Sequence, residues 1–303
     1  MSLNKTKNTT KKILRFFFRS SNPFQVYKDY SIKIQKTFYR KKFGIKEFME
    51  FFSSLGIIPG DSIFLHTSWL QFYNFKGSPL EIVDSIIEYI GENGNLVMPS
   101  HTDFNFETKI FDYQKTPTNS GIICEVFRRK KGVHRSIHYN SSICAIGKDA
   151  EQLASNHERS YTSWDENSPY YKLYKIDAKN VSIGLGSFFT YATPIHCVDS
   201  LLRDKLPYYQ KIFTEEFEYH WVDKSGKKGS KTVLHRGQGK INLSRYSKFV
   251  QDVPHINSSI SNLKGFSVNL KPLIDKGIKL AKEGKFLYVS PKVTKSDIGK
   301  LNN

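Results

Sequence analysis

Cysteine is scarce in this 303-residue chain: Cys124, Cys144 and Cys197 lie far apart, and no C-x-x-C pair occurs. That spacing supports neither a disulfide framework nor a zinc site, and it fits a reducing cytoplasm. The nine histidines form no H-E-x-x-H pattern. With neither a P-loop nor a G-x-G-x-x-G fingerprint, metal and nucleotide-hydrolysis readings have little support. Long apolar runs are missing as well. The apolar clusters near the N-terminus are short and broken by Arg15 and Arg19, so they suit neither a bilayer span nor an ordinary signal peptide. Internal repeats and low-complexity blocks are absent.

Charge, by contrast, is plentiful and uneven. Residues 1–42 hold twelve Lys or Arg and a single acid, Asp29, so eleven of the eighteen net positive charges fall there and seven on the rest. Phe16, Phe17, Phe18, Tyr27, Tyr30 and Phe38 are among the aromatics interleaved with those cations. The pattern suits a helix lying on an anionic membrane surface, where each nearby cation contributes roughly 1 kcal/mol. It equally suits a basic extension whose aromatics pack on the main domain or on the second subunit of a homodimer. Nucleic acid is not an expected partner: phosphate contacts and base stacking are available, but no reading motif accompanies them. The chain therefore divides into a basic, aromatic-rich extension, 1–42, and a main domain, 43–303.

Hydrophobic residues make up 39% of the chain, enough to fill a core. Strand-like runs (Ser62 to His66, Asn95 to Met98, Val181 to Leu185) alternate with helix-like ones (Pro79 to Ile90, Gly121 to Lys130, Ala150 to His157). The alternation predicts the α/β class, a layered α/β/α sandwich around a central mixed sheet. Later, Phe213 to Val222, a turn at Asp223 to Gly226, and Lys231 to His235 read as an inserted β-hairpin.

Chemistry concentrates at Thr193-Pro194-Ile195-His196-Cys197-Val198-Asp199. The preceding run, Asn180 to Gly186, is apolar and β-branched and then breaks at glycines, as an interior strand does on leaving its sheet. Thr193 and Pro194 resemble an N-cap followed by proline at the first helical position. A helix there would put His196 and Asp199 at i and i+3, where their side chains meet. An imidazole exchanges protons near neutral pH, which makes the pair a plausible acid–base site. The plainer reading is a capped helix whose histidine only packs and hydrogen-bonds.

Six segments in order, taken together, resemble the antibiotic N-acetyltransferase family, best known from the aminoglycoside 3-N-acetyltransferases. They are GDSIFLHTS (60–68), GENGNLVMPS (91–100), TPTNSG (116–121), RSIHYNSS (135–142), NSP (167–169) and Thr193-x-x-His196-x-x-Asp199. The resemblance runs from Phe43 to Asp223. It implies that 43–303 is an acetyltransferase domain moving an acetyl group from acetyl-coenzyme A to an amine, with His196 as the catalytic base; from the lack of metal-ligand motifs, no metal is expected. An amine is mostly protonated at neutral pH and cannot attack a thioester until a positioned group removes a proton. Asp199 would then hold the imidazole's tautomer, as the carboxylate does in a hydrolase triad. Many relatives have glutamate there, and the shorter aspartate leaves open whether it orients His196 or touches the substrate. Thr193 completes the catalytic set.

For the donor, the resemblance implies Thr67 and Ser68, where a strand meeting a helix N-terminus offers free N–H groups to anions and to a developing oxyanion. Arg135, Ser136, Ser141 and Ser142 are further cofactor-binding candidates. The plainer readings are helix caps for Thr67 and Ser68, loop hydroxyls for Ser141 and Ser142, and a solvated arginine beside Lys130 and Lys131 for Arg135. Tyr139 stands where relatives commonly have proline. Cys197 beside His196 invites an acetyl-thiolate route. Adjacent helical residues point roughly 100° apart, however, and free cysteine is commonly a small buried hydrophobe.

The positive field repels polycationic aminoglycosides. It favours an amino sugar on a neutral or anionic carrier, such as a nucleotide-linked or lipid-linked precursor of a surface polysaccharide. The alternatives are an aminoglycoside acceptor, as in antibiotic resistance, a basic nucleic-acid- or membrane-binding protein without catalysis, and a non-catalytic relative that keeps the fold. A cytoplasmic protein, with the extension on the inner face of the membrane, is the expected location.

Overall fold

The computed structural model describes residues 23–186 and 192–298; the basic run before Pro23 lies outside them. Two compact units divide the chain, Met1–Lys42 and Phe43–Asn303. In the first, helix α1 spans Pro23–Phe38.

In the second unit, α2 (Ile45–Ser53) precedes β1 (Ser62–Thr67), whose alternation sends Ile63 and Leu65 into one core and Phe64 into another. Helix α3 (Pro79–Ile90) then crosses to β2 (Asn95–Pro99). Its start is fixed by a reciprocal cap: Ser78 Oγ accepts from Glu81 N at 3.2 Å while Glu81 Oε2 accepts from Ser78 N at 2.6 Å, a device worth about 1 kcal/mol. Next come β3 (Ile110–Asp112), α4 (Ile122–Arg128), β4 (His134–Arg135) and β5 (Ile143–Gly147). They are followed by α5 (Ala150–Ala154), α6 (Pro169–Lys175) and β6 (Lys179–Ile183). After β6 stand α7 (Cys197–Leu201), α8 (Pro207–Gln210), β7 (Phe213–Val222) and β8 (Lys228–Arg236). The chain continues through β9 (Lys240–Ile241), α9 (Leu243–Val250), β10 (His255–Ile260), β11 (Leu263–Asn269), α10 (Leu270–Lys282) and β12 (Tyr288–Ser290).

The main sheet has the order β10-β11-β6-β1-β2-β5-β4. Its three central strands are parallel, with Ser62 opposite Asn95 and Thr67 opposite Ile183, and the flanking pairings are antiparallel. Side chains of α2, α3 and α4 pack on one face, and those of α5, α6, α7 and α10 on the other. This is the mixed α/β sandwich that the alternation predicts.

The hairpin forms as read: β7 and β8 pair antiparallel, and Asp223 Oδ1 accepts from Ser225 N at 2.8 Å and Lys227 N at 3.0 Å to close the turn. β3 adds a third, parallel strand. Boundaries differ in several places, among them the second hairpin strand, which runs Lys228–Arg236, and the three that follow. The helix read through His157 stops at Ala154 because Ser155 is extended and Asn156 takes a left-handed φ of 61° before a short 3₁₀ turn, His157–Arg159. The strand read from Val181 begins at Lys179 and ends at Ile183, where Gly184 turns with φ 75°. The helix read from Thr193 is a 3₁₀ turn, Thr193–His196, joined to α7, and Ala192 rather than Thr193 precedes it.

Candidate active site

The three parallel strands end side by side at Thr67, Pro99 and Ile183, the edge where open α/β sheets bind ligands. Gly184 is required there: a Cβ at that position would lie 2.9 Å from Gln71 Cβ and 3.1 Å from the Ser68 carbonyl. The chain then reaches the 3₁₀ turn. A 3₁₀ turn eclipses residues three apart, so Thr193 and His196 share a face, and Asp199 follows three residues later.

His196 Nδ1 lies 2.8 Å from Asp199 Oδ2. A carboxylate is an acceptor only, so the ring proton belongs on Nδ1 and Nε2 keeps a lone pair. Asp199 is 1% exposed. Its Oδ2 also accepts from the Tyr288 hydroxyl of β12 at 2.8 Å, which adds a second donor to a buried charge. Arg236, the last residue of β8, donates from Nη1 to Tyr288 OH at 3.0 Å, and the same nitrogen stands 3.1 and 3.4 Å from the two ring nitrogens of His196. Its guanidinium covers the Trp164 ring at 4.3 Å, and that ring lies 4.9 Å from the imidazole. Burial first, then the Arg236 charge, hold the His196 imidazole below its ordinary value, while Asp199 acts the other way. The arrangement is a neutral base whose unprotonated nitrogen, Nε2, faces the Arg236 guanidinium at 3.4 Å. The buried Cys197 thiol is pushed well up by burial and by Asp199, which leaves little thiolate for an acetyl-enzyme.

The donor candidates fall into two groups. Thr67 and Ser68 are half-buried at the end of β1; Ser68 precedes only a three-residue 3₁₀ turn, Trp69–Gln71, and makes no side-chain cap bond, while its N–H donates to Ile183 O. The next full helix is α3, so no long helix N-terminus opens at Ser68. The second group borders β4 and β5 and is buried. Ser136 Oγ accepts from Ile143 N and meets His157 Nδ1, both at 2.9 Å; Ser142 Oγ donates to Ser136 O; Ser141 Oγ donates to Asn140. Arg135 is not the solvated arginine of the plainer reading. It is 5% exposed, donates from Nη1 to the Tyr113 and Thr116 carbonyls, and covers the Phe111 ring. Tyr139, at the position where proline is common, is buried, and its hydroxyl meets His235 Nδ1 at 2.6 Å, tying this loop to the hairpin.

Comparison with known proteins bears on this geometry. The family model described as aminoglycoside 3-N-acetyltransferase matches residues 64–280. The chain belongs to this family. Aminoglycoside N(3)-acetyltransferase IV of Salmonella sp is 27% identical over 157 residues, covering 51% of this chain and 57% of that protein. The SPbeta prophage-derived aminoglycoside N(3')-acetyltransferase-like protein YokD of Bacillus subtilis (strain 168) is 29% identical over 198 residues, 58% of this chain and 69% of that one. The match thus spans little more than half the length of the Salmonella protein. The solved structure of AAC-VIa bound to sisomicin superimposes with a TM-score of 0.67 at 20% identity, covering 80% of this chain and 99% of that one. AAC-IIIb in binary complex with CoASH gives 0.66 at 17%, covering 80% and 97%. At such identities these likenesses establish the fold.

In this member of the aminoglycoside 3-N-acetyltransferase family, Arg236, Tyr288 and Trp164 are the parts of the candidate site that the sequence did not announce. They stand 40, 92 and 32 residues from His196, on segments with no motif of their own. Arg236 carried one weak signal, its place at the end of a legible hairpin. Among the described residues, no group of three or more His, Cys, Asp or Glu is arranged to hold a metal ion, and no helix is long and apolar enough to cross a membrane.

Proposed function

We propose that this protein is a coenzyme A-dependent N-acetyltransferase that acetylates an amine of an aminoglycoside by direct transfer, with His196 as general base. The observation that carries the reading is the 2.8 Å contact between His196 Nδ1 and Asp199 Oδ2, which leaves Nε2 as the proton acceptor. In this reading Nε2 takes a proton from the acceptor amine as its nitrogen attacks the thioester carbonyl. The C–S bond breaks, the amide forms, and the imidazolium returns its proton to the departing sulfur, so that coenzyme A leaves as the thiol and His196 is neutral again. Asp199, backed by Tyr288, stabilises the imidazolium meanwhile. Acetyl-coenzyme A is the second substrate. The half-buried hydroxyls of Thr67 and Ser68 are assigned to it, while Arg135, Ser136, Ser141 and Ser142, engaged internally, are assigned to holding the neighbouring loop. Thr193, on the face of His196, is assigned to the acceptor side.

The names of the relatives favour an aminoglycoside over the polysaccharide precursor expected from net charge. Total charge is a poor guide to a pocket: Glu215 lies close enough to His235 to act on it, and Glu216 accepts from Tyr161 OH, so carboxylates stand on the ribbon that also carries Arg236. One observation favours a second acceptor class. The described partners of Arg236 are the Tyr288 hydroxyl and the Trp164 and His196 rings, all uncharged, and a cation at the base suits an amino sugar on a neutral or anionic carrier.

The test measures free-thiol release from acetyl-coenzyme A against aminoglycosides and nucleotide-linked amino sugars, with His196→Ala as control. Release requiring both His196 and an aminoglycoside is expected. Release only with the nucleotide-linked sugars would transfer the assignment to the second class, and coenzyme A binding without release for any amine would end the catalytic reading.

A further inference from the structure

We propose that one face of helix α1 docks on an anionic bilayer surface. Tyr30, Ile34 and Phe38 are 59%, 45% and 79% exposed. Their i, i+4, i+8 spacing sets them on one face of the helix, whereas Ile32, two residues from both Tyr30 and Ile34 and on the far side, is buried. Lys33, Arg40 and Lys41 are exposed beside and beyond this stripe, and no Asp or Glu occurs from Tyr30 through Lys46. Large apolar side chains held in water, flanked by cations that outnumber Asp29, the single acid of residues 1–42, are the two components of an interfacial helix. The apolar row enters the boundary between headgroups and acyl chains, and the lysines and arginine meet lipid phosphates. The sixteen residues of α1 extend about 24 Å at 1.5 Å per residue, enough to lie along the surface.

Charge complementarity selects this occupant over the others. A second copy of the chain would bring another eleven net positive charges in its residues 1–42 against the first, a repulsive pairing. Nucleic acid would satisfy the cations, but Ile34, at the centre of the row, has no π face on which a base can stack. A bilayer accepts both components.

The experiment is co-flotation of the full chain with vesicles of phosphatidylcholine containing phosphatidylglycerol and, separately, of phosphatidylcholine alone; neither readout depends on acetyl transfer. Binding to the anionic vesicles only, weakened by added salt, is expected. Each of Lys33→Gln and Lys41→Gln should reduce affinity about fivefold. Ile34→Glu with Phe38→Glu should reduce it on the order of a hundredfold, with far-UV circular dichroism showing that the variant remains folded. Native-like vesicle binding by the folded double variant would overturn the proposal, since the apolar row would then be irrelevant. No binding by the native chain would also overturn it. So would self-association that the double variant abolishes without vesicle binding, or capture by an oligonucleotide in preference to vesicles.

Discussion

At the scale of single residues, the proposed site is a charge balance around one imidazole. Asp199 favours the protonated ring and Arg236 the neutral ring, so removing each should move the acid limb of the pH profile of kcat/KM in opposite directions. Arg236→Gln takes away a positive charge 3.1 Å from Nδ1, and the His196 pKa rises toward 6.5; the base then becomes competent only at higher pH, and the limb shifts up. Asp199→Asn removes the stabilising carboxylate, so the limb shifts down while kcat falls, because an amide can also accept from or donate to the wrong ring nitrogen. Shifts of the same sign in both variants would show that the pair does not set the base. His196→Ala itself should cost about 10²–10⁴ in turnover with coenzyme A affinity retained, and Cys197→Ala should leave turnover near native. An inactive Cys197→Ala beside an active His196→Ala would instead establish the acetyl-thiolate route. Legibility follows from spacing at this scale. His196 and Asp199 are three residues apart and could be paired from sequence, whereas Arg236 and Tyr288 reach the same carboxylate and ring only through the folding of β8 and β12.

At the scale of elements, helices and strands with strong local signals were readable. Pro79–Ile90 carries a full capping box and an amphipathic face, and β1 alternates cleanly. The hairpin was marked by the Asp223 to Gly226 turn. The elements that aim the site were not readable, because tertiary packing decides them. The turn at Thr193 splits into 3₁₀ and α segments as α10 presses against it, and it is glycine that permits the approach. A Cβ on Gly277 would lie 2.8 Å from Val198 Cγ2, 3.0 Å from Tyr246 OH and 3.1 Å from Ile195 Cδ1. Alanine is the better helix former by about 1 kcal/mol, yet overpacking costs about 1–3 kcal/mol. Gly277→Ala should therefore be neutral to destabilising by up to about 2 kcal/mol and should lower kcat by displacing Ile195 and Val198, which flank His196. Thermal unfolding and steady-state kinetics check both parts. A variant more stable than native with unchanged kcat would show that α10 does not position the turn.

At the scale of the whole molecule, burial of neutral histidines couples the fold to pH. His157 has one self-consistent protonation pattern. Nε2–H donates to Ser163 O at 3.2 Å, and Nδ1 accepts from Ser136 Oγ at 2.9 Å, which in turn accepts from Ile143 N. His101 Nε2 meets Tyr170 OH at 3.0 Å, and that hydroxyl donates to Ser141 O at 2.8 Å, so His101 carries its proton on Nε2. His138 stacks on His157 with ring centroids 4.3 Å apart, which makes two charges there costly. Burial, the largest cause for each, lowers His66 and His157 to about 3 and His101 to about 4, and holds His138 well below its ordinary value. Because the folded values lie below the unfolded one, the unfolded chain binds more protons across the interval, and stability must fall as pH drops through about 6.5 and go on falling toward about 4. Each such histidine gives up about 2 kcal/mol by pH 5, and the sum over the cluster is comparable to the whole stability of an ordinary domain. Urea unfolding followed from pH 7.5 down to about pH 5 should show steep loss in that interval, and His157→Gln, which removes one titrating ring, should reduce the slope by about one proton. A stability curve flat across that interval would mean that these rings relax to water before the domain unfolds.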